Sequence, residues 1–84
     1  MIYKLFFTFK GVEYSNFQIV PKQYLGNQRE AVACGLLLGK IDEKNLPRTE
    51  WYHNLKLIEL NDSGGDESIV WEQECYLPIS KNLD

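Results

Sequence analysis

The chain begins with a segment in which apolar and polar positions alternate. In Ile2–Lys10 one side is apolar throughout and the other is mixed, and this period of two predicts a strand with one core face. The apolar side consists of Tyr3, Leu5, Phe7 and Phe9. After Gly11, the segment Glu13–Val20 predicts a second strand with Phe17 and Ile19 on a shared face. The two strands are expected to form an antiparallel hairpin.

The next segment has the pattern of a helix. Asn27 and Glu30 have the spacing of an N-terminal cap, and the helix is predicted over Gln28–Leu38. Gly39 is placed to end it in the left-handed conformation. Four residues at helical spacing predict the stripe that packs on the strands: Ala31, Cys34, Gly35 and Leu38. A glycine inside a helix costs about 1 kcal/mol relative to alanine, which close approach of the helix to the sheet would offset.

Two further strands complete the pattern, Trp51–Leu60 and Ser68–Leu77, with a turn-rich segment between them. In the last strand, the alternation places four residues together on the solvent side: Val70, Glu72, Glu74 and Tyr76. The order of elements predicts an α+β domain of two layers, ββαββ, with a mostly antiparallel sheet and one helix packed on one face. Residues 1–84 are expected to form a single domain, with residues 79–84 as a frayed tail.

Composition narrows the class of protein. The 84 residues are 44% hydrophobic and 25% charged, and the net charge is −3, which are ordinary values for one globular domain. No apolar run approaches the length of a membrane span, and the first residues lack the pattern of a secretory leader. Cys34 and Cys75 have neither metal-ligand nor redox spacing. We therefore expect both to be reduced and buried, as in a cytoplasmic protein.

The charges are distributed unevenly along the chain. Residues 1–41 carry five bases and two acids, whereas residues 42–84 carry four bases and ten acids. Between Glu59 and Glu74 there are six acids and no base. The predicted partner-binding residues are these acids and one aromatic residue beside them: Glu59, Asp62, Asp66, Glu67, Glu72, Glu74 and Tyr76. This acidic hairpin is either a solvated edge that keeps the chain soluble or a docking surface for a basic partner.

Catalytic and cofactor chemistry has little support in the sequence. His53 is the only histidine, and no serine lies in a nucleophile-elbow pattern. Residues 61–67 resemble a calcium loop only faintly, because the ligand spacing and the closing glutamate are absent. The amino-terminal half is basic and aromatic, but its aromatic residues are better explained as core, and no consensus of an RNA-binding sheet is present. We therefore expect no enzyme activity, no cofactor, no metal and no direct binding of nucleic acid.

A family resemblance follows from size, element order and charge rather than from a motif. With strands at Ile2–Lys10 and Glu13–Val20, a helix at Gln28–Leu38 and an acidic hairpin at Glu59–Glu74, the chain resembles the anti-CRISPR proteins, small inhibitors encoded by phages. The resemblance covers the whole chain and carries over no individual residue. It implies stoichiometric binding to a bacterial immune nuclease or its guide complex in the host cytoplasm. The mild net charge favours a local acidic patch over mimicry by the whole surface.

The leading hypothesis is therefore a non-enzymatic inhibitor of a host defence complex, which docks the acidic hairpin into a basic groove that normally holds nucleic acid. The alternative is a self-associating structural or regulatory module. In that module an edge strand, either Ile2–Lys10 or Ser68–Leu77, pairs across a two-fold axis to form a homodimer and buries Phe6 or Val70.

Overall fold

A computed structural model describes residues 2–20, 28–60 and 67–79. These residues form four strands and one helix: β1 (Ile2–Phe9), β2 (Val12–Ile19), α1 (Arg29–Lys44), β3 (Tyr52–Leu60) and β4 (Glu67–Tyr76). The predicted cap at Asn27, the predicted turn at residues 61–66 and the predicted tail beyond Ile79 lie outside the described residues.

The strands form one antiparallel sheet in the order β2-β1-β3-β4, and the helix packs against it. The predicted α+β fold of two layers is therefore confirmed. Lys10 and Gly11 join β1 to β2, and both have positive φ angles, of 50° and 79°, as a two-residue hairpin turn of the primed type requires. The edges of the sheet are β2 and β4. The alternative in which Ile2–Lys10 pairs as an edge strand is therefore wrong, because β1 has a neighbour on each side.

The core lies between the helix and one face of the sheet, which we call the helix side. The predicted core residues of β1 are all buried there: Tyr3, Leu5, Phe7 and Phe9. The helix buries a different stripe from the one predicted: Ala33, Leu36, Leu37 and Ile41. Ala31 and Gly35 are exposed, and a Cβ atom added at Gly35 would meet no atom within 4 Å. The expectation that Gly35 allows close approach to the sheet is thus wrong.

The helix is also longer than predicted. It continues through Gly39 to Lys44, and Asn45 ends it with a φ angle of 56°. The backbone N–H of Leu46 donates to the carbonyl of Ile41 at 2.9 Å, which is the bonding typical of a left-handed helix end. Asn45 therefore ends the helix in the left-handed conformation, which the sequence had predicted for Gly39.

Two irregularities change the direction of side chains in β3 and β4. Asn54 is an extra residue in β3 relative to β1, with a φ angle of 53°. Val70 is an extra residue in β4, because Leu57 pairs with Trp71 whereas Ile58 pairs with Ile69. An extra residue of this kind moves the following side chains to the opposite face. The strict alternation that the sequence suggested for β4 is therefore wrong.

Candidate binding surface

The face of the sheet opposite the helix is covered by no other element among the described residues, and we call it the open face. Because directly paired residues of neighbouring strands share a face, the register defines which side chains it carries. From β2 and β1 these are Glu13, Ser15, Phe17, Ile19, Ile2, Lys4, Phe6 and Thr8. From β3 and β4 they are His53, Lys56, Ile58, Leu60, Glu67, Ile69, Glu72 and Cys75.

One half of the open face is mostly apolar, with Lys4 between Phe17 and Ile58 and with Ile58 only 7% exposed, and we call its apolar side chains the apolar patch. It consists of Ile2, Phe17, Ile19, Ile58, Leu60 and Ile69. Phe17, Ile19 and Ile69 are 66%, 68% and 54% exposed. The sequence correctly predicted that Phe17 and Ile19 share a face of β2, but not that this face lies away from the helix. It also placed Ile69 with Trp71, from which the extra Val70 separates it.

Beside the apolar patch, the ring of Phe6 lies between two lysines. The Nζ atoms of Lys4 and Lys56 are 5.0 and 5.5 Å from the centre of the ring, which is the distance of a cation–π contact. These lysines belong to the two central strands, whereas the acids of the open face belong to the edge strands. The charges of this face are therefore positive in the middle and negative at the edges.

A shallow groove of about 490 Å³ crosses the polar half of the open face. Its floor includes Phe6 and Lys56. Glu13 from β2 lines one side, while Glu72 and Glu74 from β4 line the other. Three carboxylates against one ammonium group give the groove a negative charge, so the chemistry that it favours is that of a basic side chain.

Among the predicted partner-binding residues, Glu59 is hydrogen-bonded within the chain itself. It lies on the helix side, directly opposite Tyr3, whose hydroxyl donates a 2.7 Å hydrogen bond to its Oε2 atom. Burial raises the pKa of Tyr3 above its usual value, and the Glu59 carboxylate raises it further, although Arg29 acts in the opposite direction. Glu59 therefore has a structural role, because its carboxylate accepts the hydrogen bond of Tyr3 between β1 and β3.

The acids of β4 do lie at the surface. Glu67, Glu72 and Glu74 are all exposed, and the edge strand that carries them contains no base. Glu72 is directly opposite Lys56 of β3, which lowers the net charge at that position. Asp62 and Asp66 lie outside the described residues. The structure therefore brings three of the seven predicted residues together on one edge of the sheet.

Tyr76, the predicted aromatic contact, is a core residue instead. It is 5% exposed, and its hydroxyl lies 3.0 Å from the Sγ atom of Cys34 on the helix. Burial, followed by the contact with Cys34, raises the pKa of Tyr76 well above its usual value. It shares the helix side with Tyr52, its partner in the register, because the extra residue Asn54 in β3 places Tyr52 on that side. The prediction that Tyr76 faces outward is wrong for this reason.

The groups with catalytic or metal-binding chemistry are few. Cys75, expected to be buried, is exposed and lies opposite His53 on the open face, but within the described residues no hydrogen bond joins the two, as a nucleophile and its base would need. In the described ranges there is no cluster of three or more histidine, cysteine or acidic residues that would hold a metal ion.

No helix in the described part of the chain combines the length and the apolar character needed to cross a membrane. The chain matches no protein-family model, no curated protein and no solved structure.

Proposed function

We propose that this chain is a non-enzymatic binding protein, which places the acidic edge strand β4 against a basic surface of its partner. The observation that carries the proposal is the exposure of Glu67, Glu72 and Glu74 on an edge strand with no base of its own. Such a strand offers both carboxylates and unpaired backbone groups to a partner. Complementary charge accelerates the encounter and selects against acidic partners.

The groove beside this strand gives the partner a defined place to insert a side chain. Glu13 and the pair Glu72 and Glu74 line opposite sides of it, so a lysine or arginine entering the groove meets a carboxylate on each side. Arginine suits this arrangement because its guanidinium group binds carboxylates through two hydrogen bonds and stacks on aromatic rings such as that of Phe6.

The partner class that we propose is a nucleic-acid-binding protein of bacterial immunity, a guide-loaded nuclease, as the resemblance to anti-CRISPR proteins implies. The basic groove of such a nuclease normally binds the phosphate backbone, and exposed carboxylates on a rigid sheet compete for the same lysines and arginines. In this proposal the protein acts stoichiometrically in the cytoplasm of the host cell.

The test is DNA cleavage by a panel of RNA-guided nucleases with increasing amounts of the protein. We expect inhibition of at least one nuclease, saturating at a ratio near one to one. The double variant Glu72→Lys, Glu74→Lys should lose inhibition by at least about tenfold, since charge pairs at interfaces contribute several kcal/mol. The matched control is Glu43→Lys, Glu50→Lys, which has the same net charge and alters two ion pairs away from β4, with Lys40 and Lys10. Equal inhibition by both double variants, or no inhibition of any nuclease, would contradict the proposal.

A further inference from the structure

The outer edge of β2 carries a row of backbone groups that point away from the sheet. Because β1 and β2 join through a two-residue turn, the flanking residues Phe9 and Val12 exchange backbone hydrogen bonds, and every second residue of β2 after Val12 bonds to β1 in the same way. The residues between them direct their N–H and C=O groups outward: Glu13, Ser15, Phe17 and Ile19. Since β2 is the end strand of the sheet, none of the described strands pairs with this edge.

β2 has the features of a strand that readily pairs with another. It follows β1 over eight consecutive residues without a bulge, and it contains no proline and a single charged residue, Glu13. Natural sheets protect such an edge with charges, proline or bulges. The other edge strand, β4, has three acids and the extra residue Val70. The edge of β2 therefore needs protection of another kind.

The side chain of Asn16 provides that protection in the middle of the strand. Its Oδ1 atom accepts a 2.9 Å hydrogen bond from the backbone N–H of Phe17, one of the outward groups. Its Nδ2 atom donates a 3.0 Å hydrogen bond to the carbonyl of Leu36 in α1. From these contacts we infer that Asn16 closes the edge of β2 to strand addition, because its amide occupies the N–H that an incoming strand would use.

The two hydrogen bonds make this closure costly to open. An added strand places a carbonyl against each outward N–H, and at Phe17 that position is taken by Oδ1 of Asn16. Moving the side chain away would also break its bond to Leu36, so that the incoming strand has to replace two hydrogen bonds before it gains one. The outward groups that remain on either side of Phe17 form segments shorter than the five or six residues typical of a strand.

Without Asn16, little in β2 would oppose pairing with the same strand of a second copy. In an antiparallel arrangement centred on residue 16, Ser15 of each copy lies opposite Phe17 of the other, and Glu13 lies opposite Ile19. No two like charges face each other, in contrast to the acids that protect β4. The inference is independent of the proposed function, since it concerns β2 rather than Glu72 and Glu74 on the opposite edge.

Hydrogen exchange of the full chain, followed by NMR, tests the closure directly. In the wild type, the amide of Phe17 should exchange at least about tenfold more slowly than that of Ser15, after correction for neighbouring side chains, because a bonded amide has to open before it exchanges. Asn16→Ala should remove most of this difference. Equal rates for the two amides in the wild type would overturn the inference.

Sedimentation equilibrium tests the consequence for association. Asn16→Ala should associate with itself at least about tenfold more tightly than the wild type, since strand addition then gains its full set of main-chain hydrogen bonds. The control is Tyr52→Phe, which also loses one hydrogen bond from a side chain to the backbone, at Pro47, but lies in a central strand. It should sediment like the wild type. Association of Asn16→Ala no tighter than that of the wild type, or equal association of both variants, would overturn the inference.

A second change locates the association on the edge of β2. Ser15→Pro, added to Asn16→Ala, removes another outward N–H and leaves the ladder with β1 intact, because proline is tolerated where the N–H faces away from the sheet. We expect the double variant, with its fold checked by circular dichroism, to sediment like the wild type. A folded double variant that still associates as tightly as Asn16→Ala would show that another surface is responsible, and the inference would be wrong.

Discussion

Tyr3 and Glu59 are directly opposite each other in β1 and β3, and the hydroxyl of Tyr3 donates a 2.7 Å hydrogen bond to the Glu59 carboxylate on the helix side. This pair explains why an acid that looks like part of an acidic hairpin in the sequence does not extend from the surface. It also links the first and third strands through side chains, in addition to the backbone ladder between them.

Removing the Tyr3 hydroxyl should destabilise the protein. Tyr3→Phe keeps the buried ring but leaves the carboxylate without its donor, and hydrogen bonds to charged groups contribute about 1.5–3 kcal/mol. We expect a loss of about 1–2 kcal/mol in the free energy of unfolding, measured by urea denaturation, because Glu59 is partly exposed. In a double-mutant cycle with Glu59→Gln, a coupling energy near zero would show that the bond contributes nothing.

Alkaline pH should destabilise the protein through Tyr52. Burial, with a smaller effect of Glu50, raises the pKa of Tyr52 from its usual value of 10.0 to about 12. The folded chain therefore holds this proton more strongly than the unfolded chain. The resulting stability is complete below pH 10 and is lost as the pH rises towards 12, and it amounts to at most about 3 kcal/mol.

Tyr52→Phe provides the control for this pH dependence, since phenylalanine has no proton to lose. The variant also lacks the hydrogen bond from the Tyr52 hydroxyl to the carbonyl of Pro47, so it should be less stable than the wild type near neutral pH. Between about pH 10 and 11.5, its free energy of unfolding should fall less steeply than that of the wild type. Parallel curves for the two proteins would contradict the assignment to Tyr52.

Tyr76 should behave as a core residue in mutagenesis. Tyr76→Ala removes a ring that is 5% exposed, and truncating a buried aromatic residue costs about 3–5 kcal/mol. Tyr76→Phe loses only the contact with Cys34 and should cost less than about 1.5 kcal/mol. If Tyr76 were a surface contact, both variants would unfold like the wild type, and the folded Tyr76→Phe protein would lose partner binding.

Alanine at Gly35 should stabilise the protein. The residue is exposed in the middle of the helix, and a Cβ atom there would meet nothing within 4 Å, so the substitution gains helix propensity of about 0.5–1 kcal/mol without strain. Gly11→Ala is the matched control, because its φ angle of 79° disfavours a side chain and should make the change destabilising by about 1 kcal/mol. Thermal and urea unfolding would measure both changes, and a destabilised Gly35→Ala would imply a contact at this position.

The sequence predicted the fold because its strongest patterns are regular. The alternation of Tyr3, Leu5, Phe7 and Phe9 continues without interruption through β1, and all four are core residues. The pattern failed where the backbone departs from regular geometry. An extra residue such as Val70 has no marked sequence signal, and it places Ile69 and Trp71 on opposite faces of the sheet. The outward placement of Tyr76 failed for the same kind of reason.

The candidate surface was harder to predict than the fold. Phe17 and Ile19 share a face in any register, but only the pairing of Phe17 with Lys4 and of Ile19 with Ile2 places that face away from the helix. Long-range pairing decides such a question, and alternation within one strand carries no information about it. The acids of β4 could be identified from the run of acidic residues in the sequence. Carboxylates on an edge strand are exposed without any special backbone geometry.

The extra residue Asn54 has a consequence for how this fold can vary. Tyr52 lies in the core and His53 on the open face because Asn54 is inserted between them and Leu55. Deleting that one asparagine would exchange the two positions, turning a phenol towards solvent and an imidazole inward. In variants of this fold with β3 shorter by one residue, we therefore expect the aromatic and polar residues at these two positions in reverse order.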